Sequence, residues 1–307
     1  MSLSGSMKIY KNIRLNKKHR GGVVAIGNFD GVHLGHQKVI NEAKKQAKKN
    51  NLPFGIITFE PIPTMFFNSK IKNHRINSLT QKKDQLAKFK IDFLIIINFN
   101  KNFRSLTAEQ FIKKVIYQKT KTKFLYVSKN FRFGFKRLGS IQTLKKYEKL
   151  YNYKSLITIP LKKNKKIISS TSIRKKITQG KIQEINKLLN REWSIKGRVI
   201  KGQKRGRKIG FPTCNLKLDD YIVPRLGVYS VKVRGAKFYK KGIANIGYRP
   251  TFNGQNLLLE TNIFGINKNL YNKDIIISFR KFIRLEKKFK NLEHLKKQIK
   301  IDIKKAK

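Results

Sequence analysis

Between residues 21 and 185, short β-prone runs alternate with helical patterns, and no other feature of the 307-residue chain limits its possible folds so tightly. The strand candidates are "GVVAIG" (22–27), "PFGIITFE" (53–60), "DFLIIINF" (92–99), "KFLYVS" (123–128) and "SLITIPL" (155–161). Between them, "LGHQKVINEAKKQAKKN", "TQKKDQLAKFK", "TAEQFIKKVIYQK" and "IQTLKKYEKLY" repeat apolar residues three and four apart, the spacing of an amphipathic helix. Apolar strands joined by helices imply a parallel sheet covered on both faces. Such a sheet takes its ligands beyond the carboxyl ends of its strands. From about 191 the texture changes. "WSIKGRVIKG", "GVYSVKVRG", "KKGIANIG", "LLLETNIF" and "DIIISFRKFI" follow one another with Gly-, Asn- and Pro-rich breaks. That pattern predicts an antiparallel sheet or small barrel, followed by a helix in "NLEHLKKQIKIDIKKA". The expectation is an α/β domain over 7–185 and a β domain over 186–307.

The longest strongly apolar run, "FLIIINF" at 93–99, is too short to span a bilayer. "MSLSGSM" lacks the apolar core of a signal peptide and reads as an expression scar ahead of a start at Met7. A lone cysteine, Cys214, excludes an internal disulfide and suits a reducing, cytoplasmic setting. The formal net charge of +56 invites a nucleic-acid reading, since polyanions are drawn to such a chain at low salt. The bases are 16 arginines against 56 lysines, however, and arginine is the residue that reads base edges and forks onto phosphate. Lysine spread along every segment with abundant Ile and Asn matches the drift of AT-rich coding. No membrane and no specific nucleic-acid partner are expected.

The first candidate site is "VVAIGNFDGVHLGHQK", residues 23–38, the turn from the first strand into the first helix. A helix N-terminus carries unpaired N–H groups and partial positive charge, and so attracts phosphate. His33 and His36, three apart, share one side of the first turn. Gly35 leaves the backbone open to close approach, and Gly27 and Gly31 allow the tight turn. Two imidazole donors suit charge building on a phosphorus under attack. A metal pair would need a third ligand that the neighbourhood does not supply.

"GNFDGVHLGHQ" resembles the HxGH signature of nucleotidyltransferases, in the form carried by bacterial bifunctional riboflavin kinase/FMN adenylyltransferases. A second match is "ISSTSIR" at 168–174, where the resemblance implies a helix opening with Ser170, Thr171 and Ser172 and an arginine, Arg174, on the ATP phosphates. On their own those residues also suit a helix cap. A third match, within "VSKNFRFGFKRLGS" (127–140), implies flavin contacts at Asn130, Phe131 and Phe133; members often carry Asp at the first position and an acid at Ser140. Gly27, Asn28, Phe29 and Gly35 would line the ATP phosphates. The resemblance implies a Rossmann-like nucleotidyltransferase domain in which the FMN phosphate attacks the α-phosphorus of ATP and pyrophosphate leaves. His33, His36 and Arg174 would be its catalytic groups, with Mg²⁺ accompanying ATP.

In the second half, "GRVIKGQKRGRKIGFPTCNL" (197–216) repeats Gly202, Gly206 and Gly210 every four residues, by itself a weak hint of a phosphate loop beside the plainer reading of a flexible turn. Thr213 and Asn215, two apart, would face one side of an extended segment and offer oxygens to a hard cation. "GFPTCN" is similar to the "GFPTAN" motif of riboflavin kinases, with Cys214 in place of alanine as a packing change. "VPRLGVYSV", "GIANIGYRPTF", "LLLETNIF" and "FIRLEKKF" extend the resemblance to about 295. It implies a six-stranded β-barrel kinase with a terminal helix, Gly202 and Gly210 near ATP, and Thr213 and Asn215 on Mg²⁺. Glu260 would take the proton from the ribityl 5′-hydroxyl as it attacks the γ-phosphate, and Arg284 would close over the flavin. The chain reads "ETNIFGI" where members often read "ETHIFDF", placing Asn262 for His and Gly265 for Asp.

Overall fold

The computed structural model describes residues 7–68, 70–202, 205–251, 254–266 and 268–307, so the scar expected ahead of Met7 lies outside the described residues, as does Phe252 of "GIANIGYRPTF". Packing divides the chain into two compact units: the chain up to Ile71 with Lys82–Ile168, and Lys72–Gln81 with Ser169–Lys307.

The first unit holds β1 (Lys8–Tyr10), β2 (Val23–Ile26), β3 (Phe54–Glu60), β4 (Phe93–Asn98), β5 (Phe124–Ser128) and β6 (Lys154–Thr158) in one sheet of order β1-β4-β3-β2-β5-β6. Every neighbouring pair in it is parallel. A two-stranded hairpin, β7 (Lys162–Lys163) and β8 (Lys166–Ile167), follows. The expected strand at 155–161 therefore stops three residues early. β1 has no counterpart among the expected strands: three residues of "KIY" carry too short a pattern to signal. The central strands β2 and β4 are almost wholly buried, which is why they read as continuous apolar runs. Helix α1 (Leu34–Lys49) turns Val39, Ile40, Ala43 and Ala47 inward, at the expected helical spacing. The segment expected as one helix over 107–119 winds as α-helix over Ala108–Phe111 and as π-helix over Ile112–Lys119. Strand order runs outward in one direction from β2 through β3 and β4, and in the other through β5 and β6. The reversal lies between β2 and β5, and the crevice beyond their carboxyl ends is the binding position of an open α/β sheet.

The second unit holds α2 (Ser170–Thr178), α3 (Ile182–Leu189), β9 (Ser194–Arg198), β10 (Cys214–Lys217), β11 (Gly227–Gly235), β12 (Phe238–Thr251), β13 (Gly254–Ile263), β14 (Asp274–Arg284) and α4 (Leu292–Ala306). The six strands form an antiparallel sheet of order β10-β13-β12-β11-β14-β9. Its two edges meet: Ile200, just past β9, bridges to Asn215 in β10, with Ile200 N donating to Asn215 O at 2.9 Å. The sheet is thereby closed into the six-stranded barrel. The helices α2 and α3 belong to this unit by packing. Asn186 of α3 donates through Nδ2 to Phe279 O in β14 at 2.9 Å.

Candidate active site

In the first unit the loop 27–33 leaves β2 and the loop 129–134 leaves β5, so the two expected segments flank the reversal of strand order. The first loop is tightly wound: Phe29, Gly31 and Val32 all have positive φ, at 48°, 84° and 40°. Its conformation is held from below, where Asn28 O accepts from Thr58 Oγ1 at 3.0 Å and from the buried Lys82 Nζ at 3.1 Å. His33 is the N-cap of α1, and its Nδ1 accepts from His36 N at 3.3 Å. An accepting Nδ1 puts the proton of a neutral His33 ring on Nε2. The two imidazoles stack with centroids 3.6 Å apart, and the buried Phe29 ring meets His36 edge-on at 5.2 Å. A Cβ on Gly35 would come within 3.1 Å of the His33 ring and 3.2 Å of Ile168 O, so glycine there is what lets the imidazole lie against the helix start.

In the second loop Asn130 is exposed and Phe131 half-buried, while Phe133 is buried among core residues. Phe131 stacks on Phe133 at 5.4 Å, and Phe133 packs on Phe111 at 5.2 Å. Of the two aromatics, Phe131 has the accessible face. Ser140 caps the next helical turn, accepting from Thr143 N.

Ser169 caps α2, and Ser172 closes a capping box with it: Ser172 N donates to Ser169 Oγ and Ser169 N donates to Ser172 Oγ, both at 3.2 Å. Ser170 and Thr171 occupy the first turn. Arg174 projects one turn later and donates through Nε to His74 O at 2.8 Å.

The barrel contains a cavity of about 840 Å³ whose lining includes Gly202, Thr213, Asn215, Asn245, Glu260 and Arg284. Register explains the convergence. Asn215 of β10 stands opposite Glu260 of β13, Glu260 opposite Asn245 of β12, Asn245 opposite Val228 of β11, and Val228 opposite Arg284 of β14. Residues paired directly across antiparallel strands share a face, so one transverse row carries these five side chains toward the cavity. Gly210, with φ of +89°, is not in the lining, whereas Gly206 is. A Cβ on Gly202 would collide with Asn215 Nδ2.

The row's polar members are differently held. Asn215 Oδ1 is buried and has no hydrogen-bond partner among the described residues. Thr213, exposed on the cavity wall, offers a second oxygen. An orphaned carbonyl oxygen beside a hydroxyl is the donor chemistry of a hard cation such as Mg²⁺. Among the described residues no cluster of three His, Cys, Asp or Glu could hold a metal instead. Asn245 donates through Nδ2 to Glu286 Oε1 at 3.0 Å. Arg284 lies in a fork on Asp302 of α4, with Nε 3.0 Å from both carboxylate oxygens and Nη2 2.7 Å from Oδ2. Cys214 points away, its Sγ donating to Thr261 O at 3.4 Å; burial pushes the thiol up to about 12. Asn262 donates through Nδ2 to Pro212 O at 2.7 Å, fastening the loop that carries Thr213. Gly265 has φ of +68°, a left-handed turn that suits glycine.

Asn245 and Asp302 were not anticipated. Strand alternation could have found Asn245, two residues beyond Ile243 in "GIANIG". Asp302 had a signal too: an acid among lysines, at helical spacing from Ile299 and Ala306 on the apolar side of the last helix.

A family model described as FAD synthetase matches residues 15–172, and one described as riboflavin kinase matches residues 189–307. The bifunctional riboflavin kinase/FMN adenylyltransferase of Buchnera aphidicola subsp. Schizaphis graminum is 44% identical over 97% of both chains. The Escherichia coli K12 protein of the same name is 36% identical over 91% of this chain and 90% of its own. A solved structure described as a macrolide-efflux protein from Streptococcus pneumoniae superposes with a TM-score of 0.86 at 30% identity, covering 98% of each chain. Among the described residues no helix is long and apolar enough to cross a membrane.

Proposed function

Since the chain belongs to the bifunctional riboflavin kinase/FMN adenylyltransferase family, we propose that its two reactions are carried by the two residue groups described above. The activities themselves are those of the family: ATP phosphorylates riboflavin to FMN, and FMN is adenylylated by ATP to FAD with release of pyrophosphate. Riboflavin, FMN and ATP are its small-molecule substrates. We assign the second reaction to 7–185 and the first to 186–307.

For the kinase, Glu260 takes the proton of the ribityl 5′-hydroxyl, and the oxygen so freed bonds to the γ-phosphorus as the bond to ADP breaks. The observation that carries this is the row Asn215–Glu260–Asn245 facing one cavity. Thr213 and Asn215 are the residues that would hold Mg²⁺, which when bound neutralises phosphate charge. Gly202 gives Asn215 its room and the phosphates a close approach to backbone. Arg284, steadied by Asp302, is assigned to the flavin side of the cavity.

For adenylyl transfer, an FMN phosphate oxygen attacks the α-phosphorus and pyrophosphate leaves, with no bond to the protein at any stage. His33 Nε2–H and the His36 ring donate to phosphate oxygens at the start of α1, and the backbone of Gly27, Asn28, Phe29 and Gly35 frames that approach. Ser170, Thr171, Ser172 and Arg174 are assigned to the ATP phosphates, and Asn130, Phe131 and Phe133 to the flavin, with the Phe131 face as the contact surface. The single-cysteine chain, with no helix long enough to cross a membrane among the described residues, fits action in the cytoplasm.

The test is one incubation with riboflavin, ATP and Mg²⁺, followed by chromatography of riboflavin, FMN and FAD. Wild type should give FMN and then FAD. His36→Ala should stop at FMN, and Glu260→Ala should leave riboflavin untouched while converting added FMN to FAD. Loss of both activities in either folded variant would overturn the assignment.

A further inference from the structure

Residues 72–81 stand far from Ser169–Lys307 in sequence yet pack as part of that unit. The attachment is dense. Arg75 is 6% exposed, and its Nε lies 2.7 Å from Asp220 Oδ2. Backbone closes over the same point: His74 N and Arg75 N both donate to Asp220 O at 2.8 Å, and Ile222 N donates to Arg75 O at 2.8 Å. The next residues are fixed in turn. The fully buried Trp193 donates through Nε1 to Ile76 O at 2.8 Å, Arg191 donates to Asn77 Oδ1 at 2.9 Å, and Gln81 accepts from Tyr221 OH at 2.6 Å.

One backbone acceptor of this strap faces a residue of the adenylyl-transfer assignment. His74 O accepts from Arg174 Nε at 2.8 Å. A guanidinium is planar, so a bond at Nε fixes the direction of its whole fork. The carbonyl that makes this bond is one residue from the buried Arg75 anchor.

We propose that Arg75, with Asp220, is a positioning residue for adenylyl transfer: by locking the strap 72–81 it sets the His74 carbonyl and, through it, the aim of Arg174 at the ATP phosphates. This rests on the reading of Arg174 given above. It also places part of the adenylyltransferase's alignment in the segment 219–222, which directly follows the strand carrying Asn215 of the kinase cavity. The strap and anchor contacts described above involve none of the cavity-lining residues named for the kinase, so disturbing Arg75 should misdirect one reaction and spare the other.

The experiment measures kcat and KM for both reactions on full-length wild type, Arg75→Ala, Arg174→Ala and the double variant. A misaimed phosphate ligand costs turnover, so Arg75→Ala should lower kcat for FAD formation about tenfold or more, with riboflavin phosphorylation within about twofold of wild type. The double variant should be no slower than Arg174→Ala, because the anchor acts only through that arginine. Arg75→Lys should recover part of the loss, and Asp220→Asn, which keeps the shape, should show the same loss in smaller degree if Arg75→Ala does not fold. Multiplying losses in the double variant, or normal FAD formation in Arg75→Ala beside a slow Arg174→Ala, would overturn the positioning role while leaving the assignment of Arg174 intact. Normal FAD formation in Arg174→Ala would overturn the assignment and the proposal together.

Discussion

Asn215 and Glu260 stand directly opposite each other on neighbouring antiparallel strands, so the orphaned amide oxygen and the carboxylate leave the sheet on one face. On the proposed reading, that pairing puts a cation ligand beside a proton acceptor on one face of the sheet. Glu260→Gln keeps the shape and removes the base, so the rate of FMN formation should fall by about 10²- to 10⁴-fold. FAD formation from supplied FMN should persist, as read by chromatography of the two products.

The same pairing predicts a metal effect. Asn215→Ala removes the one buried side-chain oxygen in the row that has no partner among the described residues. The Mg²⁺ concentration for half-maximal phosphorylation should rise by at least about tenfold, a loss typical even of outer-shell partners of a metal site. A titration of Mg²⁺ at saturating riboflavin measures it, and an unchanged midpoint would remove Asn215 from the metal site.

Asp302 is 1% exposed and forks onto Arg284 while also accepting from Gln298 Nε2 at 2.9 Å. Asp302→Ala leaves the guanidinium without its buried carboxylate, which should cost about 3 kcal/mol of unfolding free energy. Urea unfolding reads that loss, and the KM for riboflavin should rise as Arg284 loses its fixed direction.

His19 gives a pH signature to the first unit. Its ring is buried, hydrogen-bonded with Tyr10 OH at 2.8 Å and stacked on Phe93 at 5.1 Å. Burial, with the Lys18 charge adding to it, holds its pKa below the ordinary 6.5. The folded protein therefore binds fewer protons than the unfolded chain between the lowered value and 6.5, and stability from neutral His19 is present above 6.5 and declines as pH falls through that window. Thermal melts of wild type between pH 7.5 and 5 should show this decline, and His19→Gln should flatten it.

Cys214 is a packing residue with an inert thiol. Its pKa of about 12 leaves essentially no thiolate at neutral pH. Cys214→Ala should keep phosphorylation within about twofold of wild type, and alkylation of the native protein at pH 8 should stay negligible until denaturant is added.

The parallel sheet was legible because β2 and β4 are buried on both faces and leave long apolar runs, and α1 because its inward residues keep a strict helical spacing. His33 and His36 could be placed from the strand, glycine turn and helix around them. The barrel's closure was not legible from its strands: it depends on Ile200 meeting Asn215 across the sheet edges, a pairing no local pattern encodes. Likewise Glu260 and Asn215 each carried a signal, but their opposition is a matter of register. The attachment of the strap 72–81 gave no sign, since "KNHRINS" ahead of the expected helix is polar and aperiodic and the partners that hold it lie more than 100 residues away.

The discontinuous second unit also sets an order of events during synthesis. Residues 72–81 emerge from the ribosome about 140 residues ahead of the 219–222 segment that anchors Arg75. At ~5–20 residues per second the strap waits roughly 7 to 30 s for that partner. Through that interval the nascent chain carries a finished stretch whose packing partners do not yet exist. The half of the molecule made last therefore reaches back for a piece made early, and completes its packing with a segment outside its own contiguous sequence.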